Sequence, residues 1–154
     1  KTIGFIGKTI SAGDIVSAKR RWNQFAQTMS MYHQRFDLLL TPTLAAEPVT
    51  IGAFEPPLFE KAGMKIINAL GLHKLLLKTG MVKQMAMDNL EKLPFTQLAN
   101  LTGAPAMSVP LYWSANNLPL GVQFMAPMGD EVTLLQLAHQ LEQAQPWFNR
   151  VASI

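Results

Sequence analysis

The stretch of sequence that decides the fold is residues 95–147, FTQLANLTGAPAMSVPLYWSANNLPLGVQFMAPMGDEVTLLQLAHQLEQAQPW. It predicts a short helix over Phe95–Leu101 that ends near Gly103, where a glycine can close the last turn. Two strands are predicted after it, over Ala106–Pro110 and Leu118–Met125, joined by the turn-forming residues SANN. Helix, strand and strand in this order already favour a protein that mixes both kinds of structure.

A last helix is predicted to begin after Asp130 and to end before Pro146, whose missing amide hydrogen interrupts helical hydrogen bonding. We expect the apolar residues of this helix to share one side. They are Val132, Leu135, Ala138 and Leu141. Asp130 and Glu131 stand together at the helix start, so we interpret them as capping residues and not as paired catalytic carboxylates.

The sequence before this stretch predicts a long helix followed by a buried strand. Ser11 and Asp14 have the spacing of a helix start, and the helix should run from about Ala12 to Gln34. Its apolar residues recur at steps of three and four and are expected to form a buried face. They are Ile15, Ala18, Trp22, Phe25, Met29 and Tyr32. The next segment, Phe36–Thr43 (FDLLLTPT), suits a strand buried on both faces, which indicates an α/β protein.

Between these two parts the sequence changes character twice. Ala45–Pro57 contains three prolines and a glycine and is predicted to be a loop at the end of the strand. Leu58–Lys92 is predicted to form two or three short helices, separated by glycines, with one apolar stripe. The stripe consists of Leu72, Leu75, Leu76, Thr79, Val82 and Ala86.

Composition indicates a chain that needs a partner. Of its 154 residues, 49% are hydrophobic and only 15% are charged, against about 25% charged in a usual soluble domain. Some apolar surface is therefore expected to meet another surface. Lys1 is not a methionine and no secretory signal follows it, so excision from a longer chain is favoured over secretion.

Charge and cysteine content exclude several classes of function. The net charge is +3, but Lys and Arg are spread along the chain without an aromatic-rich basic cluster, so we expect no nucleic-acid binding. The chain has no cysteine, which removes disulfides, thiolate catalysis and the common structural zinc sites. Lysines interrupt the most hydrophobic region, so no transmembrane segment is predicted. We expect a soluble protein of the cytoplasm.

The order of these segments carries a family resemblance. A helix, then FDLLLTPT, a helical region, FTQLANLTGAPAMSVP, LPLGVQFMAP and GDEVTLLQLAHQLEQAQPW together resemble the C-terminal third of amidase signature enzymes, over nearly all of Ser11–Trp147. QLANLTGAPAMSVP and the lead-in MAMDNLEKLPFT are most similar to the branch of 6-aminohexanoate cyclic-dimer hydrolases. The resemblance implies an α/β fold with a mixed sheet covered by helices. It also implies that residues 1–154 are a single partial domain of a larger one, with 54–92 as a helical insertion or a substrate-side cover.

The same resemblance implies hydrolysis of linear or cyclic amides at carbon–nitrogen bonds other than peptide bonds. In the family a neutral lysine serves as base to a serine in a cis peptide, which takes the proton from the nucleophilic serine. These residues lie in an upstream segment that nothing in this chain matches. No catalytic residue is therefore assigned here, the triad is expected upstream, and the isolated chain is predicted to be inactive.

Local candidates for catalysis or metal binding are better explained as structural residues. Ser108 has neither a GxSxG nor an SxxK setting, so we do not nominate it as a nucleophile. His33, His73 and His139 lack metal-ligand spacing and are interpreted as exposed or hydrogen-bonded helix residues. The glycines form no phosphate-binding pattern, and turns or close packing explain Gly103, Gly121 and Gly129. No metal and no cofactor is predicted.

Two groups of residues are candidates for substrate binding. Thr41, Pro42 and Thr43 end the predicted buried strand, where ligands of open α/β sheets tend to bind, although a strand-ending turn explains them equally well. Phe59 and Met64 belong to a stretch rich in methionine and apolar residues that suits the cover of a hydrophobic channel. A helical layer packed on the core is the competing interpretation.

Two alternatives remain open from the sequence. Residues 54–87 also fit a cationic amphipathic helix that binds an anionic membrane or a partner helix without chemistry, with Lys74 and Lys78 as its charges. The other alternative is an amidotransferase subunit that works near transfer RNA. If the hydrolase interpretation holds, the expected partners are the N-terminal catalytic portion of the same protein and a small amide substrate. Exposed strand edges and apolar faces should make the isolated chain self-associate.

Overall fold

The computed structural model describes residues 4, 7–8, 10–52, 55, 58–71 and 80–152. These divide into two compact units along the chain. The first unit is formed by residues 1–19 and 49–91, and the second by residues 20–48 and 92–154. The predictions of one partial domain over 1–154 and of an insertion over 54–92 remain predictions.

Helix α1 spans Ala12–Tyr32, close to its predicted limits. Its start is a reciprocal cap in which the Asp14 amide donates to Ser11 Oγ at 3.1 Å and the Ser11 amide donates to Asp14 Oδ2 at 3.3 Å. Each bond satisfies an amide that has no partner within the helix. The interpretation of Ser11 and Asp14 as the helix start is confirmed.

The expectation that the apolar face of α1 is buried is wrong for most of its length. Of that face only Met29 is buried, whereas Ile15, Trp22 and Phe25 are each between 44% and 48% exposed. The three-and-four spacing shows that a helix has an apolar side, but burial also requires a surface to cover that side. Among the described residues, these three side chains lack such a cover.

Three strands form one sheet in the second unit. They are β1 (Leu39–Pro42), β2 (Ala106–Trp113) and β3 (Pro119–Met125), in the spatial order β1, β3, β2. Helices together with this sheet confirm the expected α/β fold. Both pairings are antiparallel, so the mixed sheet that was expected is not seen among these strands.

Strand β1 is shorter than predicted and lies at an edge of the described sheet. It lacks Phe36 and Leu38, and Leu40 is 59% exposed, so the prediction of a strand buried on both faces is wrong. An edge strand tolerates Pro42, which cannot donate to a neighbour. The other edge strand, β2, shifts register between Val109 and Tyr112, a segment that contains Pro110.

Alternating residues of β3 divide the sheet into two faces. Val122 and Phe124 point to the face where Phe124 packs with Val109 of β2 and with helix α5 (Glu131–Ala144). The core of the second unit forms there from Val109, Phe124, Ala126 and Leu134, with Leu38, Met107, Leu111, Val122, Leu137, Leu141 and Trp147 around them. Helix α5 therefore covers this face of the sheet.

The inward side of α5 differs from the predicted one. Leu134 is 4% exposed and Leu137 and Leu141 pack against the core, whereas Val132 and Leu135 are 62% and 70% exposed. The helix is apolar over much of its circumference, so spacing alone fits two neighbouring sides. Packing against β2 selects the side of Leu134.

The remaining helices are α2 (Leu58–Leu70), α3 (Met81–Lys92) and α4 (Thr96–Thr102). The described residues of Leu58–Lys92 contain two helices, which fits the predicted two or three. Helix α4 ends at Gly103, whose φ of 73° is the left-handed conformation that favours glycine. Most of the predicted apolar stripe, together with His73, Lys74 and Lys78, falls in residues 72–79, outside the described residues. No helix among the described ranges is long and apolar enough to span a bilayer.

Leu134 and Leu135 offer a matched test of which side of α5 is buried. We expect Leu134→Ala to lower the free energy of unfolding by about 2–5 kcal/mol, because it leaves a cavity in the core. Leu135→Ala should change the free energy of unfolding by no more than about 0.5 kcal/mol, because its side chain is already exposed. Urea unfolding followed by tryptophan fluorescence measures both, and equal losses would contradict the assignment.

Candidate functional site

The candidate site lies on the sheet face opposite α5. Thr41, Gln123 and Ser108 are register partners across β1, β3 and β2, so their side chains form one polar row across the sheet. Gln123 is buried at 7% exposure, whereas Ser108 is exposed. The row thus has a buried centre and an accessible end.

Hydrogen bonds tie the side chains of this face together. Gln123 Nε2 donates to Thr41 Oγ1 at 3.4 Å, and the hydroxyls of Thr43 and Ser108 are hydrogen-bonded at 2.8 Å. The Thr43 amide donates to the Gly121 carbonyl at 2.9 Å, which continues the β1–β3 ladder one residue beyond β1. Thr43 is thereby held over the central strand beside Ser108. We call Thr41, Thr43, Ser108 and Gln123 the polar row.

Gly121 makes this arrangement possible. A Cβ on Gly121 would lie 2.6 Å from Thr43 Oγ1 and 3.1 Å from Thr43 Cβ, and it would also collide with Ser108 Oγ. The two hydroxyls meet in the space that a side chain would fill. The expectation that close packing explains this glycine is confirmed, while Gly103 and Gly129, at φ of 73° and 83°, serve turns.

The chemistry available to the polar row is hydrogen bonding without charge. None of the three strands carries a charged residue. Within the described part of the chain, Ser108 Oγ bonds to the Thr43 hydroxyl and not to an imidazole, amine or carboxylate. A serine needs such a base to become a nucleophile, so the geometry suits Ser108 to contact and not to attack.

The predicted substrate-binding residues fall into two groups. Thr41 and Thr43 belong to the polar row, while Pro42 alternates with them and is paired with Val122. Phe59 and Met64 lie on α2 in the first unit, where Phe59 is 74% exposed and the side chain of Met64 lies outside the description. The structure therefore gives a shared geometry to the threonines alone, and substrate contact by all five residues stays a prediction.

Sequence reasoning overlooked Gln123 and gave Ser108 no part in a site. The signal for Gln123 was present in the alternation of LPLGVQFM, where Gly121 and Gln123 share one side of the strand and Val122 and Phe124 share the other. The partners of Gln123 could not be identified in advance, because they depend on the register with two strands distant in sequence.

A separate cleft opens in the second unit between α1, α4 and the segment after β3. Its volume is about 290 Å³, and it is lined by Ala26, Met29, Ser30, His33, Gln34, Thr102, Ala104, Pro127 and Met128. His33 follows the last residue of α1, and its Nδ1 is 3.1 Å from the Phe36 carbonyl, so it is hydrogen-bonded as predicted but lies outside the helix. Its Nε2 is buried without a partner among the described residues. No predicted substrate residue lines this cleft.

The other candidates have structural partners. His139 is exposed and lies 3.1 Å from Gln143 Nε2 on the next turn of α5. Asp130 accepts from the Thr133 amide at 3.3 Å, which confirms it as the helix cap. In the described ranges, no group of three or more His, Asp or Glu side chains is placed to hold a metal ion.

Comparison with known proteins identifies the family. The profile of the Amidase family matches residues 7–135, which is most of the chain. The chain belongs to the amidase family. Its sequence is 38% identical over 113 residues to the putative amidase AmiC of Mycobacterium leprae, covering 73% of this chain and 19% of that protein. It is 37% identical over 141 residues to a lipoamidase of Enterococcus faecalis, covering 88% of this chain and 18% of that protein.

A solved structure supports the same assignment. The structure of 6-aminohexanoate cyclic dimer hydrolase matches 95% of this amidase chain with a TM-score of 0.71 and 26% sequence identity, and the match covers 27% of that protein. The resemblance inferred from the sequence is therefore confirmed for the family and the fold. This chain spans about a fifth of the curated relatives and about a quarter of the solved structure.

Gly121→Ala tests whether the two hydroxyls depend on the missing side chain. We expect the substitution to lower the free energy of unfolding by about 1–3 kcal/mol, because the added methyl group must displace Thr43 and Ser108. Ser108→Ala should cost about 1 kcal/mol or less, because it removes one exposed hydrogen bond. Chemical denaturation of both single variants and the double variant measures these effects.

The double variant provides the control. Because Ser108→Ala removes one of the colliding atoms, Gly121→Ala should cost less in that background than in the parent chain. Strict additivity of the two losses would contradict the packing that we describe around Gly121.

Proposed function

We propose that this chain is part of a serine amidase that hydrolyses linear or cyclic amides at carbon–nitrogen bonds other than peptide bonds. The observation that carries the proposal is the amidase family match over residues 7–135. This chain covers only 18% of the lipoamidase and 27% of the cyclic dimer hydrolase. That coverage supports the further proposal that the catalytic residues lie in another portion of the same protein.

In this proposal the polar row forms one wall of the substrate pocket. A carboxamide offers both a hydrogen-bond donor and an acceptor, and hydroxyl and amide side chains can serve both. Thr41 and Thr43 line the pocket with Ser108 beside them, and Pro42 keeps the edge of β1 free of a donor at its position. The uncharged strands suit a neutral substrate better than a free acid or amine.

Residues 54–92 form a helical insertion or a substrate-side cover in this proposal. Phe59 projects from α2 with 74% of its surface exposed, so it can contact an apolar part of a substrate or of another protein portion. Met64 follows on the same helix, and methionine adapts its shape to irregular apolar partners.

In this proposal the isolated chain is inactive because the catalytic residues lie in another portion of the protein. The resemblance assigns proton transfer to a lysine and a cis serine, and acyl transfer to a second serine, all outside this chain. Ser108, the serine of the polar row, is paired with a threonine hydroxyl and lacks a bonded base among the described residues. This chain then helps to position the substrate. Positioning increases the reaction rate only when a nucleophile is present.

The expected partners follow from this arrangement. The N-terminal catalytic portion would cover apolar surface such as Trp22 and Phe25, which are 44% and 48% exposed here. Without it, the isolated chain should self-associate. We keep the cytoplasm as the proposed location. The amidotransferase alternative predicts instead that the protein copurifies with partner subunits and requires them.

We expect no hydrolysis of anilides or cyclic amides by the isolated chain, and hydrolysis after coexpression with the segment that precedes it in its own reading frame. Release of amine from a small substrate panel measures both. Activity of the isolated chain would show that the catalytic residues are present here, and inactivity in both cases would contradict the proposed reaction.

Substitution of Ser108 distinguishes a residue of the pocket wall from a nucleophile. In the active, longer protein, Ser108→Ala should change kcat/KM by about tenfold or less, the effect of one lost hydrogen bond. Loss of about 10⁴-fold or more, as expected when a nucleophile is removed, would show that Ser108 is catalytic. Ser114→Ala is the matched control, because Ser114 is buried in the hairpin turn, where its Oγ accepts from the Leu118 amide.

A further inference from the structure

Helix α2 carries an apolar face that points outward from the first unit. Leu58, Phe59, Ile66 and Leu70 are 85%, 74%, 58% and 65% exposed. Ala62 and Ala69 are exposed as well. A soluble protein rarely leaves so many large apolar side chains on one helix in contact with water.

These residues form one continuous stripe. At about 100° per residue, Leu58, Ala69, Ala62, Ile66, Phe59 and Leu70 follow one another around an arc of about 120°. Lys65 lies next to Leu58 at one border of the arc and is exposed. A lysine in that position can rest its aliphatic stem on an apolar layer while its ammonium group stays in water.

Charge distinguishes this unit from the rest of the chain. The sequence of the first unit has eight Lys and five Asp or Glu, whereas the second unit has five Lys or Arg and five Asp or Glu. The whole net charge of +3 therefore belongs to the unit that exposes the apolar helix. The apolar stripe matches the acyl chains of an anionic lipid surface, and the bordering lysine and the positive charge of the unit match its anionic headgroups.

We propose that α2 binds in the plane of an anionic lipid surface, with Leu58, Phe59, Ile66 and Leu70 inserted and Lys65 at the headgroups. A 13-residue helix of this kind lies along the interface and does not cross it. The proposal concerns binding alone and does not depend on amide hydrolysis. It is an alternative to substrate contact by Phe59, because one side chain cannot be inserted in lipid and line a substrate pocket.

Vesicle cosedimentation of the 154-residue chain tests the proposal. The chain should cosediment with phosphatidylcholine vesicles that contain phosphatidylglycerol, and much less of it should cosediment with phosphatidylcholine vesicles alone. Added salt should reduce the bound fraction, because it screens the lysines. Ile66→Asp and Phe59→Asp should each reduce the partition coefficient about tenfold or more, because each places a charge in the inserted face. Lys65→Glu should reduce it by about tenfold through charge alone.

Leu135→Asp is the matched control, because Leu135 is 70% exposed on α5 in the second unit. It should leave vesicle binding unchanged, and circular dichroism should show unchanged helix content for every variant. If Ile66→Asp loses helix content, Lys65→Glu decides, since it retains the apolar stripe. Each of these results would overturn the proposal: no binding by the parent chain, equal binding to neutral vesicles, or equal losses in Leu135→Asp and Ile66→Asp. A further contradicting result would be a parent chain that is oligomeric and does not bind vesicles, together with an Ile66→Asp variant that is monomeric. That result would assign the apolar face to contacts between copies of the chain.

Discussion

The second unit depends on the central position of strand β3, whose alternating side chains meet two different surroundings. Val122 and Phe124 pack on the side where α5 closes the core, while Gly121 and Gln123 support the polar row on the other side. A shift of one residue in register would exchange these faces, placing Gln123 in the core and Phe124 beside the threonines. The burial of Leu134 and the Asp130 cap fix α5 over one face. The packing that stabilises the unit therefore also determines where its hydroxyls can act.

This constraint connects the fold to the proposed function. Because β3 is paired on both sides, Thr41 and Thr43 of the β1 segment and Ser108 of β2 reach the same patch although they are distant in sequence. Gly121 lets two of these hydroxyls meet over the backbone. The patch has hydrogen-bonding capacity, and among the described residues no base is bonded to its serine, which supports the pocket-wall role that we propose. The exposed apolar residues of α1 and α2 indicate further surfaces that this chain leaves uncovered.

Much of the secondary structure could be predicted from the sequence, because its signals are local. The Ser11–Asp14 cap, the end of α4 at Gly103 and the Asp130 cap each depend on a few neighbouring residues. The burial of helix faces could not be predicted as well. In α5 the apolar residues fit two neighbouring sides, and contact with β2 decides between them. In α1 the spacing was correct, but among the described residues most of the face has no cover. Of the site, the threonines were found from their place at the end of a strand, whereas Gln123 depended on a register that spacing does not reveal. The family resemblance was visible because the order of the segments is preserved along the chain.

Cysteine labelling tests most directly whether the polar row faces bound substrate. The chain has no cysteine, so Ser108→Cys introduces a single thiol on this face and Leu135→Cys introduces one on the far side of α5. Each variant would be assembled with the preceding segment and treated with a maleimide, with and without a competing amide, and labelling at each position would be quantified by peptide mass spectrometry. We expect the amide to slow labelling at position 108 and to leave labelling at position 135 unchanged. Equal labelling rates at position 108 with and without the amide would contradict it.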